Sequence, residues 1–381
     1  MASIKSYEKD GKKFYRFQLY VGTNPLTGKP IKTTRRGFKT KKEAELALSR
    51  LKLEIERGDF NKKSTDTYQD MYNLWIEQYK NTVKESTLVK TKGIFKNHIL
   101  PTMGKYKVDK INVQICQKHV NEWFKELKKF RSVKAYASKV LDYTVTLSVI
   151  VNNPMKNVTM PVNIDPPQEE KEENFYTKDE LINFLECMEK EKNYKSFALF
   201  RLLSFSGARK GEILALSWND INFKENEIRI HKALSRGENN RIIIQTPKTK
   251  SSIRSIKMDD ITMAILKDWR KRQKQELLIL GYNTLKPNQI VFNNAYNEYL
   301  QPTKTRKWML HVQEKYGLRK ISTHGLRHTH CSLLFEAGAT IKEVQERLGH
   351  SDVKTTMDIY AHVTEKAKDE VAQKFAKYMN F

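Results

Sequence analysis

Cysteine is scarce: the chain has three in 381 residues, Cys116, Cys187 and Cys331, an odd and widely spaced set. That excludes a disulfide scaffold and a cysteine-rich zinc module, and it suits a reducing compartment. Nowhere is there an uninterrupted apolar run of about 18 residues. The first residues, MASIKSYEKDGKKFYRF, contain no apolar signal core. The expectation is a cytoplasmic protein, neither secreted nor membrane-spanning. Acidic residues are outnumbered, 44 against 70 Lys and Arg, giving a formal charge of +26 and a pI near 9.7. So large an excess points to a polyanionic partner, nucleic acid first. There is no internal repeat and no GxxxxGK[ST] phosphate loop. Nor is there a carboxylate cluster for paired magnesium ions, so neither a nucleotide nor a metal cofactor is expected.

What remains is a chain with 39% hydrophobic and 10% aromatic residues, enough to build cores, and long enough for two or three domains. The positive charge is spread: +8 over residues 1–60, +10 over 61–163 and +8 over 164–381. That distribution argues for several modules touching one polyanion. Residues 14–21 (FYRFQLYV) alternate, with Tyr15, Phe17, Leu19 and Val21 on one face. Asn24-Pro-Leu-Thr-Gly28 reads as a hairpin loop, and IKTTRRGF returns as a second basic strand. Thr40 and Glu43 form a capping-box pattern ahead of Ala44, Ala47, Leu48, Leu51 and Ile55 at helical spacing. Residues 1–60 therefore read as a small sheet carrying one helix, closed by Gly58 and the polar run 61–64.

Residues 65–160 read as helical, with Met71, Leu74, Trp75 and Tyr79 on one stripe and Val120, Trp123, Phe124 and Leu127 on another. A proline-rich acidic stretch, 161–173, reads as a linker. A second capping box, Thr177 with Glu180, opens the last domain, 174–381. The fold class expected is multidomain, mainly α with small β elements.

Four clusters stand out in that last domain. They are Ser206-Gly-Ala-Arg209-Lys-Gly-Glu212, Thr246-Pro-Lys248-Thr-Lys250-Ser-Ser-Ile-Arg254, His324-Gly-Leu-Arg327-His328, and Leu348-Gly-His350 through Tyr360-Ala-His362. The first is a turn entering a helix, the second a β-hairpin signal with lysines at its bend, and the third a helix start. Singly, each has an ordinary structural reading: an ion pair, a solvated basic hairpin, a core tyrosine. A metal site at His324, His328 and His330 lacks acidic or cysteine partners at suitable spacing.

Taken jointly and in that order, two arginines, a lysine, two histidines and a tyrosine resemble the tyrosine recombinase (phage integrase) family. The likeness runs from about residue 1 to the end and is most specific over 321–362. The layout also resembles integrases of phages and Gram-positive conjugative transposons. The resemblance implies a β-sheet-plus-helix arm-binding domain, a helical core-binding domain and a mixed α+β catalytic domain. It implies Arg209 and Arg327 as a phosphate clamp, Lys250 as general acid, and His324 as acid/base. His350 becomes a second phosphate ligand and Tyr360 the nucleophile.

The residue types suit that chemistry. Always-protonated guanidiniums stabilise the extra charge of a pentacoordinate phosphorane. A covalent link to the protein conserves the energy of the broken phosphodiester. A phenol of pKa about 10 must lose its proton on attack, and imidazole titrates near the working pH. Lys250 is preferred to Lys248 because it abuts the turn, with Arg254 starting the return strand. Glu212 is expected to buttress the active-site histidines or arginines, with His328 and His362 in supporting roles.

The implied activity is site-specific recombination that integrates and excises a mobile element through a 3′-phosphotyrosyl intermediate. Four protomers would act on two duplexes, with an excisionase and a DNA-bending host factor as further partners. Double-stranded arm DNA would be read by the N-terminal sheet through Arg16, Gln18, Tyr20, Lys32, Thr34 and Arg36, and core sites by the helical domain. Two alternatives share parts of this pattern: a type IB topoisomerase, and a non-catalytic DNA-binding regulator of the same fold. A C-terminal helix with Val363, Ala367, Val371 and Phe375 at helical spacing would pack on a neighbouring protomer or close its own domain.

Overall fold

The structure is a computed structural model describing residues 3–23, 30–56, 66–162, 173–247, 252–284, 286, 288–349, 353, 356–357 and 379. The expected loop at 24–28, the closing run at 58–64 and most of the linker lie outside the described residues. So do Lys248, Lys250, His350, Tyr360, His362 and the helix expected over 363–375. The chain divides into two compact units, Met1–Ile164 and Asp165–Phe381. Among the described residues, no helix is long and apolar enough to cross a membrane.

The first unit opens with an antiparallel sheet in the order β1 (Ile4–Lys9), β2 (Lys12–Thr23), β3 (Pro30–Phe38). The β1–β2 turn is Asp10-Gly11, both with positive φ (52° and 69°). This is the two-residue geometry whose twist matches the strands it joins. Helix α1 (Lys41–Glu56) lays Ala44, Leu48 and Leu51 against Phe17, with Tyr15, Leu19, Phe38 and Ile55 around them. Its start is capped as expected: Thr40 Oγ1 accepts from the Glu43 N–H at 3.2 Å, and Glu43 accepts from the Lys39 N–H at 3.0 Å.

A second apolar core is built from α2 (Tyr68–Tyr79), α3 (Glu85–Ile94), α4 (Leu100–Met103), α5 (Val113–Glu126) and α6 (Phe130–Thr146). A five-residue π turn, Phe95–Ile99, joins α3 to α4. There the Leu100 N–H reaches back to the Phe95 carbonyl, just ahead of Pro101, which has no N–H and would crowd the carbonyl four residues back in a regular helix. The wide turn relieves that crowding and buries Phe95 and Ile99 completely. One expectation is corrected here. Leu74 is 50% exposed, and the buried stripe of α2 is Tyr68, Met71, Tyr72, Trp75 and Ile76. Leu74 lies one step, about 100° of rotation, off that stripe.

Among its described residues the second unit contains α7 (Lys178–Lys190), α8 (Tyr194–Ser206), α9 (Lys210–Leu214), five short strands, and then α10 (Asp260–Ile279), α11 (Pro302–Lys315), α12 (Gly325–Glu336) and α13 (Ile341–Leu348). The strands are β4 (Ile221–Asn222), β5 (Glu227–Ile230), β6 (Ala233–Arg236), β7 (Ile242–Gln245) and β8 (Arg254–Lys257). Helix α8 is apolar almost all round, with Phe197 through Phe200, Leu202 and Leu203 buried, as befits a helix at the centre of a core. The Thr177–Glu180 box is formed, and Glu180 also binds Arg319 Nε at 2.7 Å.

The hairpin expected around the lysines is corrected. Strand β7 pairs with β6, and β8 pairs with β5 in a separate sheet ordered β4-β5-β8. The hairpin of this region turns instead at 237–240, where Asn239 and Asn240 take positive φ (54° and 59°). Strands β7 and β8 thus belong to two different sheets.

Candidate active site

Helix α8 ends at Gly207 in the left-handed conformation (φ 62°). A Cβ there would stand 2.5 Å from His330 Cδ2 and 2.6 Å from Leu348 Cδ2, so both the backbone and the space demand glycine. The turn delivers Arg209 to the N-cap of α9. Its N–H donates to Glu212 Oε2 at 2.9 Å and its guanidinium to Oε1 at 2.9 Å, while Arg254 donates to Oε2 at 3.0 Å. Glu212 is 2% exposed. Burial alone would raise its pKa. The charges and hydrogen bonds of Arg254 and Arg209 outweigh burial and hold it below the ordinary value, so Glu212 is an anion.

Helix α13 ends at a second left-handed glycine, Gly349 (φ 67°). Three guanidiniums donate to its last three carbonyls in succession: Arg254 Nε to Arg347 O (2.7 Å), Arg327 to Leu348 O (2.9 Å) and Arg209 to Gly349 O (3.5 Å). Arg327 also donates to Gly207 O at 2.8 Å, joining the two helix ends. C-terminal carbonyls are the negative pole of a helix, so they partly balance guanidiniums that share one carboxylate. The balance is incomplete: burial first, and then the nearby Arg209 charge, push the Arg327 pKa down to about 9. The cluster is short of an anion. Of its side chains, Arg209 is 41% exposed, against 7% for Arg254.

His324 precedes α12 and is open to solvent at one edge. Crowding by neighbouring atoms, followed by the charges of His328, Arg327, Arg209 and Lys210, brings its pKa down to about 4. It is therefore a neutral base at pH 7. The His328 ring meets it edge-on, with centroids 4.8 Å apart. The structure thus brings Arg209, Glu212, His324, Arg327 and His328 together. Lys250, His350 and Tyr360 lie outside the described residues, although His350 follows directly on the clamped Gly349. Among the described residues, no group of three or more His, Cys, Asp or Glu could hold a metal ion.

In the N-terminal sheet the six candidate contacts are direct cross-strand pairs: Arg16 with Arg36, Gln18 with Thr34, and Tyr20 with Lys32. All six are exposed, opposite the Phe17 face that packs on α1. Strand β1 adds Lys5, opposite Arg16, and the Arg16 guanidinium lies 5.9 Å from the centre of the Tyr7 ring.

Comparison with known proteins places the chain among relatives over its whole length. Residues 174–367 match the phage integrase family, 67–124 its N-terminal SAM-like domain, and 3–55 an arm DNA-binding domain. A tyrosine recombinase XerC-like protein of Caldanaerobacter subterraneus is 30% identical, with 98% of each chain covered. The chain belongs to the phage integrase family. As a member it is a tyrosine recombinase of the integrase kind, a DNA strand-transferring enzyme. The ICEBs1 integrase of Bacillus subtilis is 27% identical over 94% of this chain and 96% of its own. The integrase of Staphylococcus phage L54a is 27% identical over 86% of this chain and 99% of its own. Among solved structures, the Tn1549 transposon integrase in complex with transposon right end DNA superposes with a TM-score of 0.66 at 19% identity, covering 83% of this chain and all of that one. A lambda integrase tetramer bound to a Holliday junction gives 0.55 at 14% identity, covering 93% and 94%.

Three polar side chains outside the expected set also build this site. Arg254 was read only as the start of a strand, yet it holds both Glu212 and the end of α13. Arg347 and His330 were given no role. The placement of Arg347 in the last turn of a helix, next to the carbonyl-rich pole, is the signal that was available.

Proposed function

We propose that this integrase cuts and rejoins duplex DNA through Tyr360, using Arg209 and Arg327 to stabilise the attacked phosphate, with no metal ion. The observation that carries the proposal is the guanidinium cluster: Arg209, Arg254 and Arg327 gathered on one carboxylate and two helix ends, one of which leads straight into His350. A scissile phosphate supplies the missing anion, and the added charge on its equatorial oxygens in the transition state binds more tightly still.

The Tyr360 oxygen bonds to phosphorus, and its proton passes to neutral His324. The P–O5′ bond breaks, and the departing oxygen takes a proton from Lys250, with Lys248 as the alternative donor in the same stretch. A 5′-hydroxyl of the partner duplex reverses these steps to join the strands. His350 hydrogen-bonds the phosphate, and Glu212 orients Arg209 and Arg254. Four protomers act on two duplexes in the bacterial cytoplasm, arm sites lying on the N-terminal sheet, with an excisionase and a DNA-bending protein setting direction.

The test is a labelled suicide substrate nicked beside the attack site. Wild-type protein should become covalently attached to the 3′ end, whereas Tyr360→Phe should bind the same DNA and form no adduct. An adduct with Tyr360→Phe moves the nucleophile elsewhere.

A further inference from the structure

Behind the arginine clamp is a second layer of polar side chains. His330, on α12, is 9% exposed, and its Nδ1 lies 2.8 Å from the Ser204 carbonyl. A carbonyl only accepts, so Nδ1 carries the proton. The other nitrogen, Nε2, accepts from Arg347 Nε at 3.0 Å. Both contacts are satisfied together only when the ring is neutral. The remaining Arg347 donors reach Phe205 O and Lys257 O, each at 3.1 Å. One guanidinium thus joins three elements: the free carbonyl pole of α8, the last residue of β8, and α12 through His330. Its own carbonyl receives Arg254.

Resting on the reading of the site given above, we propose that Arg347, locked by neutral His330, is a positioning residue for strand cleavage. It ties the end of α13 to α8 and β8, so that Arg254, Arg327 and the chain entering His350 stand in register with Arg209. The physical case is one of geometry. A planar fork with five donors fixes direction at several acceptors at once, and a lysine in its place supplies equal charge but a single flexible point. The fork joins Phe205, in the last turn of α8, to the last turn of α13, while Arg327 joins Gly207 to Leu348. Errors of about 1 Å in placing a reacting group cost on the order of 100-fold in rate.

Three variants of the full-length protein separate positioning from packing: Arg347→Lys, Arg347→Met, and the double variant Arg347→Met with His330→Phe. The double variant removes the two side chains together, so that no imidazole nitrogen is left facing an apolar neighbour. Each is measured for DNA affinity, thermal midpoint and the first-order rate of covalent attachment at saturating protein. We expect every variant to bind DNA within about twofold of wild type, because the Arg347 guanidinium is taken up by His330, Phe205 and Lys257. We also expect Arg347→Lys and the double variant to remain folded yet cleave at least 30-fold more slowly. Wild-type cleavage by either of those two overturns the proposal. So does a rate loss matched by an equal loss of affinity or of folded protein. Amide exchange at Leu348 and Gly349 should speed up at least tenfold in Arg347→Lys, and unchanged exchange also overturns it. If wild-type protein forms no adduct at all, the recombinase reading of the site fails, and the exchange experiment still decides whether Arg347 fixes the end of α13.

Discussion

Arg209 and Arg327 carry equal charge in one cluster, yet they are placed differently. Arg209 opens to solvent, while Arg327 is 3% exposed and donates to the carbonyls where two helices end. Gly207 makes that arrangement possible, because the left-handed turn brings α8, His330 and Leu348 within contact of one Cα. Gly207→Ala should therefore cost about 2–5 kcal/mol, the sum of left-handed strain and overpacking. Chemical denaturation of the full chain measures it, and a loss under about 1 kcal/mol would show that the site yields easily. At this scale the sequence points to residues whose chemistry is rare in combination, Arg209, His324 and Arg327, and the structure gathers these three in one place. It was not legible for Arg254, Arg347 and His330. Their roles depend on which carbonyls lie opposite, and that is settled only when α8, α12, α13 and β8 pack.

Elements were readable where local chemistry decides them. Both helix starts, at Thr40 and Thr177, carry the expected threonine cap, because a cap needs only three or four residues; the reciprocal bond to the cap's own N–H closes at Thr177, whereas Glu43 turns to the Lys39 N–H. The Asp10-Gly11 turn was an equally local signal for β1, and it was passed over. The lysine-bearing hairpin was misread because strand partners are chosen by the whole sheet: Ile228 and Ile256 pair in buried register, and this draws β8 to β5. Leu74 was misplaced because its neighbours, Tyr72 and Ile76, fill the stripe instead. On the N-terminal sheet the paired, exposed face of Arg16, Lys32 and Arg36 is the surface proposed to meet the phosphates of arm-site DNA. Charge reversal at Arg16 and Arg36 should weaken binding to arm-site DNA and flatten its salt dependence by about two units of slope, roughly 0.9 per phosphate contact. Fluorescence anisotropy across a salt series measures this. An unchanged slope means that the face is merely solvated.

Across the molecule, the folded protein holds several groups out of their ordinary titration range. His324 falls to about 4, by crowding from neighbouring atoms first, and His330 to about 3, by burial first, while Arg319 brings Glu180 down to about 2. All three bind protons less readily folded than unfolded. Between about pH 3 and 6.5 the unfolded chain takes up the extra protons on histidine, and between about 2 and 4.5 it takes them up on Glu180. Stability must therefore rise with pH across the acid range, and the thermal midpoint should climb from pH 4.5 to 7. A midpoint that is flat or falling over that window would mean that these groups are not held as the structure places them.

The chemistry proposed for Tyr360 rests on guanidiniums in place of metal ions, and that is open to direct test. Wild-type protein, stripped with excess chelator and mixed with a labelled suicide substrate, should form a covalent complex at an undiminished rate, with the 3′ phosphate on the peptide that contains Tyr360. Failure to react in chelator, with activity restored by magnesium, would contradict the account.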